Sequence, residues 1–206
     1  GDYNAARELA IKAVEDEPNE PLAHALRAGI AFIDGNQDDL KKYGQKTLET
    51  ANALQSTDPL RGNLYLGVGH FLDGAYQLQN KNQLGAAAKL GIVFDHVDKA
   101  SKISPNDPEL NLIKGYLDLL LAVYLPFSKP EQAIEKFKEN AAPKYLVYRG
   151  IGSAYRDLKQ YDKALQYLNR ALSITPDNPE LLYLKGQVLL EIGSKANNLK
   201  LLEEAG

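Results

Sequence analysis

Residues 145–178 read YLVYRGIGSAYRDLKQYDKALQYLNRALSITPDN. Apolar and small residues recur here at intervals of three and four, as on one face of a helix. Tyr148, Ile151, Gly152 and Tyr155 mark a first helix; Ala164, Leu165, Leu168, Ala171 and Leu172 mark a second. Pro176 stops the second helix and turns the chain. Gly152 and Ala164 are the small residues of the pair, so the two helices are expected to cross closely there. Tyr148, Ile151, Tyr155 and Leu168 are expected to fill the space around that crossing.

Working outward, the same grammar repeats. Strand signals are almost absent, with no sustained alternation and no hairpin turn between β-branched runs. Asp58-Pro59, Asp107-Pro108 and Asn178-Pro179 each place a capping side chain before a proline at the first helical position. Ser128 to Glu131 suggest a similar start, and Glu20-Pro21 a weaker one. These signals predict about eleven helices, at 3–17, 21–34, 38–55, 60–79, 83–103, 108–125, 130–141, 144–157, 161–174, 179–192 and 196–205. The joints are short, so neighbouring helices are expected to pack antiparallel. The segment Ile103–Gly115 aligns with Ile174–Gly186 at an offset of 71 residues, and Asp2 to Pro18 aligns with Tyr161 to Pro176.

These residues resemble the tetratricopeptide repeat (TPR) family, with Tyr148 where that family often has Trp. The resemblance is closest over 145–178 and loosest over 37–103. It implies an all-α, right-handed α-solenoid of antiparallel helix hairpins, forming a single domain over 1–206. A half repeat at 1–18 opens it, followed by repeats at about 19–56, 57–105, 106–142, 143–178 and 179–206. Repeat ends at Pro18, Ser56, Pro105, Ala142 and Pro176 are spaced by 38, 49, 37 and 34 residues. The second spacing exceeds the family unit of about 34 by some 15 residues, which corresponds to two extra turns on each of two helices. The helices at 60–79 and 83–103 are therefore expected to be long. Gly67, Gly69, Gly74, Gly85, Ala86, Ala87, Ala88 and Gly91 are expected to let them pack closely.

Composition narrows the function. The 206 residues carry 24 Lys and Arg against 27 Asp and Glu, a net charge of −3, so a nucleic-acid partner is not expected. There is no Cys, hence no disulfide framework, thiolate nucleophile or zinc ribbon. The longest apolar run, Leu117 to Phe127, is too short for a membrane span, so direct membrane insertion of this fragment is not expected. The chain starts inside a helical pattern and has no Met, which reads as an excised fragment and leaves a removed targeting segment open. The compartment stays open, leaning to the cytoplasm.

Candidate chemistry is sparse. His24, His70 and His96 fall in different helices without an i, i+4 pair, and read as packed or surface residues. Asp34, Asn36 and Asp38 imitate the start of a calcium loop, but Asp39 stands where that loop needs Gly, so the segment reads as a turn. Gly62, Gly67 and Gly69 follow no strand and precede no Gly-Lys-Ser/Thr. No nucleophile elbow is present. No enzyme activity, metal or cofactor is expected, although a dispersed catalytic set stays open.

What remains is binding. The resemblance implies that first helices line a concave groove. Its positions here are Phe32, Leu64, Phe71, Tyr116, Leu120, Arg149, Ser153, Arg156, Tyr183 and Gln187. Such a groove is apolar and aromatic toward its N-terminal side and basic at Arg149 and Arg156, suited to a peptide with apolar anchors and an acidic residue. Packing of Phe32, Phe71 and Tyr116 within the fold is the alternative. A subclass of the family grips a C-terminal carboxylate with Lys, Asn and Arg; the matching places hold Ala25, Gly29, Leu64, Tyr65, Glu109 and Ile113, so that role is not expected. The helix at 108–125 is apolar nearly all round, and Leu121, Tyr124, Leu125 and Phe127 are candidates for a contact with a partner or a second copy. The expected function is a protein-interaction scaffold or assembly factor that holds a peptide or helix. The alternative is a self-assembling scaffold that joins through its ends or through this apolar helix.

Overall fold

In the computed structural model the described residues are 3–124, 130–138 and 140–196. They form ten helices and no strand: α1 (Tyr3–Asp16), α2 (Pro21–Ile33), α3 (Gln37–Leu54), α4 (Pro59–Gln79), α5 (Gln83–Ile103), α6 (Pro108–Tyr124), α7 (Pro130–Lys138), α8 (Lys144–Asp157), α9 (Tyr161–Ile174) and α10 (Pro179–Ala196). The predicted helix at 196–205 lies outside the described residues apart from its first residue. α10 runs past its expected end through Gly193. One glycine costs a helix only about 1 kcal/mol relative to alanine, so it did not break the element. α7 is shorter than expected. Asn140 beyond it adopts a left-handed backbone, φ 52°, which asparagine tolerates better than most residues.

The predicted caps form. Asp58 accepts from the Arg61 amide at 3.0 Å, Asp107 from the Leu110 amide at 2.8 Å, and Asn178 from the Glu180 amide at 3.1 Å. Glu20 accepts from the Leu22 amide at 3.1 Å. Asn36 and Asn82 cap α3 and α5 in the same way. Each bond satisfies a backbone donor that the first turn leaves unpaired.

The chain divides into two compact units, residues 2–105 and residues 106–206. In the first, α2 packs on α3, α3 on α4, and α4 on α5, with α1 against α2. Its core joins Ala28, Ala31, Leu40 and Leu72, and a second cluster joins Ala51, Tyr65 and Leu66. α4 and α5 are 21 residues each, the longest helices described, and join through only three residues. A Cβ on Gly67 would lie 3.7 Å from Val93 O, and one on Gly74 would lie 3.4 Å from Lys89 Cβ, so these glycines do set the α4–α5 crossing. Gly69 instead meets Leu48 of α3. Gly91 has open space around it and Ala87 and Ala88 are exposed, so this half of the small-residue run faces away from α4.

In the second unit α6 pairs with α7, and α8 with α9, while α8 also touches α6 and α10. Phe137 is fully buried among Leu112, Ala133, Ile134, Val147 and Ile151. Gly152 lies against Leu168 and the Ala164 carbonyl, where a Cβ would come within 2.9 Å and 3.5 Å. The close crossing expected of Gly152 and Ala164 is therefore present. Tyr148, Tyr155 and Leu168 pack around it with Leu181, Leu184 and Val188 of α10.

Candidate functional site

In the second unit, the first helices α6, α8 and α10 bring four of the ten predicted groove residues into two contacts, Tyr116 with Arg149 and Arg156 with Gln187. The Tyr116 hydroxyl donates to the Leu146 carbonyl at 2.8 Å and accepts from Arg149 Nη1 at 3.1 Å. The Arg149 guanidinium also lies over the Tyr116 ring, 5.4 Å from its centre, and Arg149 Nη2 pairs with the Glu180 carboxylate. Two turns further along α8, Arg156 Nη1 donates to Gln187 Oε1 at 3.0 Å, and Nε to Asp157 Oδ1 at 3.0 Å. Arg149–Glu180 and Arg156–Gln187 both span 31 residues, so α8 and α10 meet in matching register.

This corrects the expected chemistry. Arg149 and Arg156 do not form an open basic surface; each already has a carboxylate partner. Burial opposes the Arg149 charge, but Tyr116 and Glu180 outweigh it and raise its pKa. Tyr116 is mainly a packing residue, edge-on to Phe137 with ring centres 5.0 Å apart. Burial raises its phenol pKa, against the pull of Arg149. Tyr183 is exposed, while Leu120, Ser153 and Gln187 are half-buried. Leu121 is half-buried near the end of α6. Leu125 and Phe127 lie outside the described residues, as does the side chain of Tyr124.

In the first unit Leu64 is 1% exposed and belongs to the core rather than to a groove. Phe32 and Phe71 are exposed, at 46% and 40%. Sequence reasoning missed the larger feature beside Phe32. Leu22, Leu26 and Ile33 of α2 are exposed, and a Cβ on Gly29 would meet nothing. These four positions are spaced by four, three and four residues, so they share one helix face. That 4-3-4 spacing was readable in the sequence, but nothing in it separates an exposed stripe from a buried one.

The turn at 34–36 is structural: Asp34 pairs with Arg7, Gly35 has φ 70°, and Asn36 caps α3. His24 is buried, bonded at 2.8 Å to the Pro18 carbonyl and stacked on Tyr43. His70 and His96, however, do converge, across α4 and α5, with rings stacked 5.7 Å apart. Among the described residues no group of three or more His, Asp or Glu is placed to hold a metal ion, and no helix is long and apolar enough to cross a membrane.

Comparison with known proteins agrees with this architecture. Residues 152–193 match the TPR repeat family. The TPR repeat-containing protein YpiA of Bacillus subtilis (strain 168) is 26% identical over 235 residues, covering 99% of this chain and 51% of the relative. Cell division cycle protein 27 homolog A of Arabidopsis thaliana is 30% identical over 79 residues, covering 38% of this chain and 11% of that protein. The chain thus spans about half the length of one curated relative and about a tenth of the other. A thermophilic TPR protein of Thermus thermophilus superposes with a TM-score of 0.62 at 20% identity, over 91% of both chains. With its helix hairpins and its tight Gly152–Ala164 crossing, the chain has the fold of the Thermus TPR protein, and its residues 152–193 match the TPR repeat.

Proposed function

We propose that the chain is a non-enzymatic scaffold that takes an apolar segment of a partner protein, a helix or an extended peptide, on the exposed face of α2. The observation that carries this reading is the stripe of Leu22, Leu26 and Ile33, with Phe32 beside it, left open on a well-capped helix. Exposed apolar side chains at one helical spacing offer anchor points whose burial drives association. The paired Arg149–Glu180 and Arg156–Gln187 set supports a second, polar contact in residues 106–206. There a partner carboxylate competes with Glu180 for Arg149. Tetratricopeptide repeats generally mediate protein–protein interactions, which agrees with this reading.

The test is capture from the source lysate with wild type and with a Leu26→Glu, Ile33→Glu variant of unchanged helical content. Hydrogen exchange of the chain with the captured protein then follows. The reading expects a protein that only wild type retains and that protects α2. Equal retention by both chains removes the α2 face from consideration.

Self-assembly is the second reading, favoured by Leu9 and Ile11 of α1, exposed at 67% and 41%. It requires a solution mass that rises with concentration and falls back in a Leu9→Glu variant.

A further inference from the structure

The two longest helices share a polar contact that neither the fold nor the proposed binding face uses. His70 of α4 and His96 of α5 stack nearly parallel, with ring centres 5.7 Å apart and planes at 15°. The contact sits beside the crossing set by Gly67, where a Cβ would lie 3.8 Å from His96 Cβ. His96 Nδ1 lies 3.0 Å from Asn63 Oδ1, so its proton belongs on that nitrogen. His70 Nδ1 is buried and has no hydrogen-bond partner.

A neutral imidazole leaves one nitrogen bare, and at His70 that nitrogen is Nδ1. Taking up a proton would turn it into a buried donor with no acceptor, an arrangement that folded proteins avoid. A second proton on His96 would place two positive rings face to face. The surrounding charges relieve this only in part: Asp73 favours a proton on His70 and Asp95 one on His96, but each carboxylate is paired with a lysine and burial outweighs both. From α5, Lys89 lies near His70, with its ammonium 2.7 Å from Asp73 of α4. Asp95 and Lys99 of α5 lie near His96 and pair with each other at 2.6 Å. Among the described residues no charge from α2 or α3, which also pack on α4, shifts either ring. Both rings accordingly resist protonation, His70 through burial first and then Lys89 and His96, His96 through burial first and then Lys99.

We infer that the His70–His96 stack makes the α4–α5 hairpin an acid-sensitive element, closed while both rings are neutral and loosened when they take up protons. The sign follows from linkage. A histidine held below its ordinary pKa contributes stability that is complete above the unfolded value and is lost as pH falls through the histidine range.

Hydrogen exchange of the whole chain, corrected for intrinsic rates, tests this at about pH 7.5 and about pH 5.5, on either side of the ordinary imidazole range. The expected result is a loss of protection in α4 and α5 at the lower pH, while α8 and α9 keep theirs. In a His70→Gln, His96→Gln variant the α4–α5 loss disappears. Equal loss in wild type and variant, or no loss in wild type, overturns the inference. Should the variant lack helical content, the imidazole proton resonances of wild type decide. Midpoints below that of free histidine at both rings sustain it, and a midpoint at or above that value at either ring overturns it.

Discussion

The ring of Phe137 fills the space that a side chain on Gly150 would need. A Cβ built there would overlap the ring edge, at 2.5 Å from Cε2, and one on Gly115 would come within 2.6 Å of Cε1. Phe137 of α7 is thus wedged between α6 and α8 and cannot swing away from either. Gly150→Ala is expected to destabilise the protein by about 1–3 kcal/mol, the usual cost of overpacking. Phe137→Ala is expected to cost about 3–5 kcal/mol through the cavity it leaves. In the Phe137→Ala background the Gly150→Ala penalty should largely vanish, because the two residues share one space. Urea midpoints of the four chains check this, and an undiminished Gly150→Ala penalty in that background would show that the strain lies elsewhere.

Arg149 and Glu180 are unequal partners. The Arg149 side chain is 25% exposed and also covers Tyr116, whereas Glu180 is 49% exposed. Replacing Glu180 by Gln should cost under about 1 kcal/mol, as for other solvent-screened pairs. Arg149→Ala should cost more, about 1.5–3 kcal/mol, the range for hydrogen bonds to charged groups. The order is the testable part. A Glu180→Gln variant less stable than Arg149→Ala in thermal melts would mean that an Arg149 charge left without its carboxylate costs more than losing the whole side chain, its cover over Tyr116 included.

The contrast between what was readable and what was not follows from distance along the chain. The Asp58, Asp107 and Asn178 caps act over three residues, and the Gly152–Ala164 crossing acts within one repeat, so pattern and spacing sufficed for both. The length of α4 and α5 followed from the wide spacing between Ser56 and Pro105. Arg149 was legible as a surface cation, but its neutralising partner Glu180 lies in the next repeat, 31 residues on. The sequence leaves His70 and His96 separate, because their contact depends on how two long helices rotate about Gly67. Leu64 and Leu26 are the same residue type on first helices. Only the packing makes one core and leaves the other open.

Helix capping gives a prediction free of core packing. Asp58 accepts the Arg61 amide at 3.0 Å ahead of Pro59. Asp58→Ala should lower stability by about 1 kcal/mol, whereas Asp58→Asn, which keeps the acceptor, should cost little. Equal losses would assign the effect to the aspartate charge at the helix N-terminus instead.

Asp118 gives the pH dependence of opposite sign to the histidine pair. It sits half-buried on α6, and that burial raises its pKa, against the pull of Lys136 and Lys114. A carboxyl whose folded pKa lies above its unfolded value contributes stability that is complete below the unfolded value and lost as pH rises through the folded one. At neutral pH the ionised Asp118 therefore weakens α6. Asp118→Asn keeps the shape and removes the charge. The variant should be more stable than wild type at about pH 7 and indistinguishable from it at about pH 3, below the ordinary carboxylate range. Urea midpoints at the two pH values check both halves of this statement. A variant less stable than wild type at neutral pH would mean that attraction to Lys136 and Lys114 outweighs burial, so that the charge holds α6 in place.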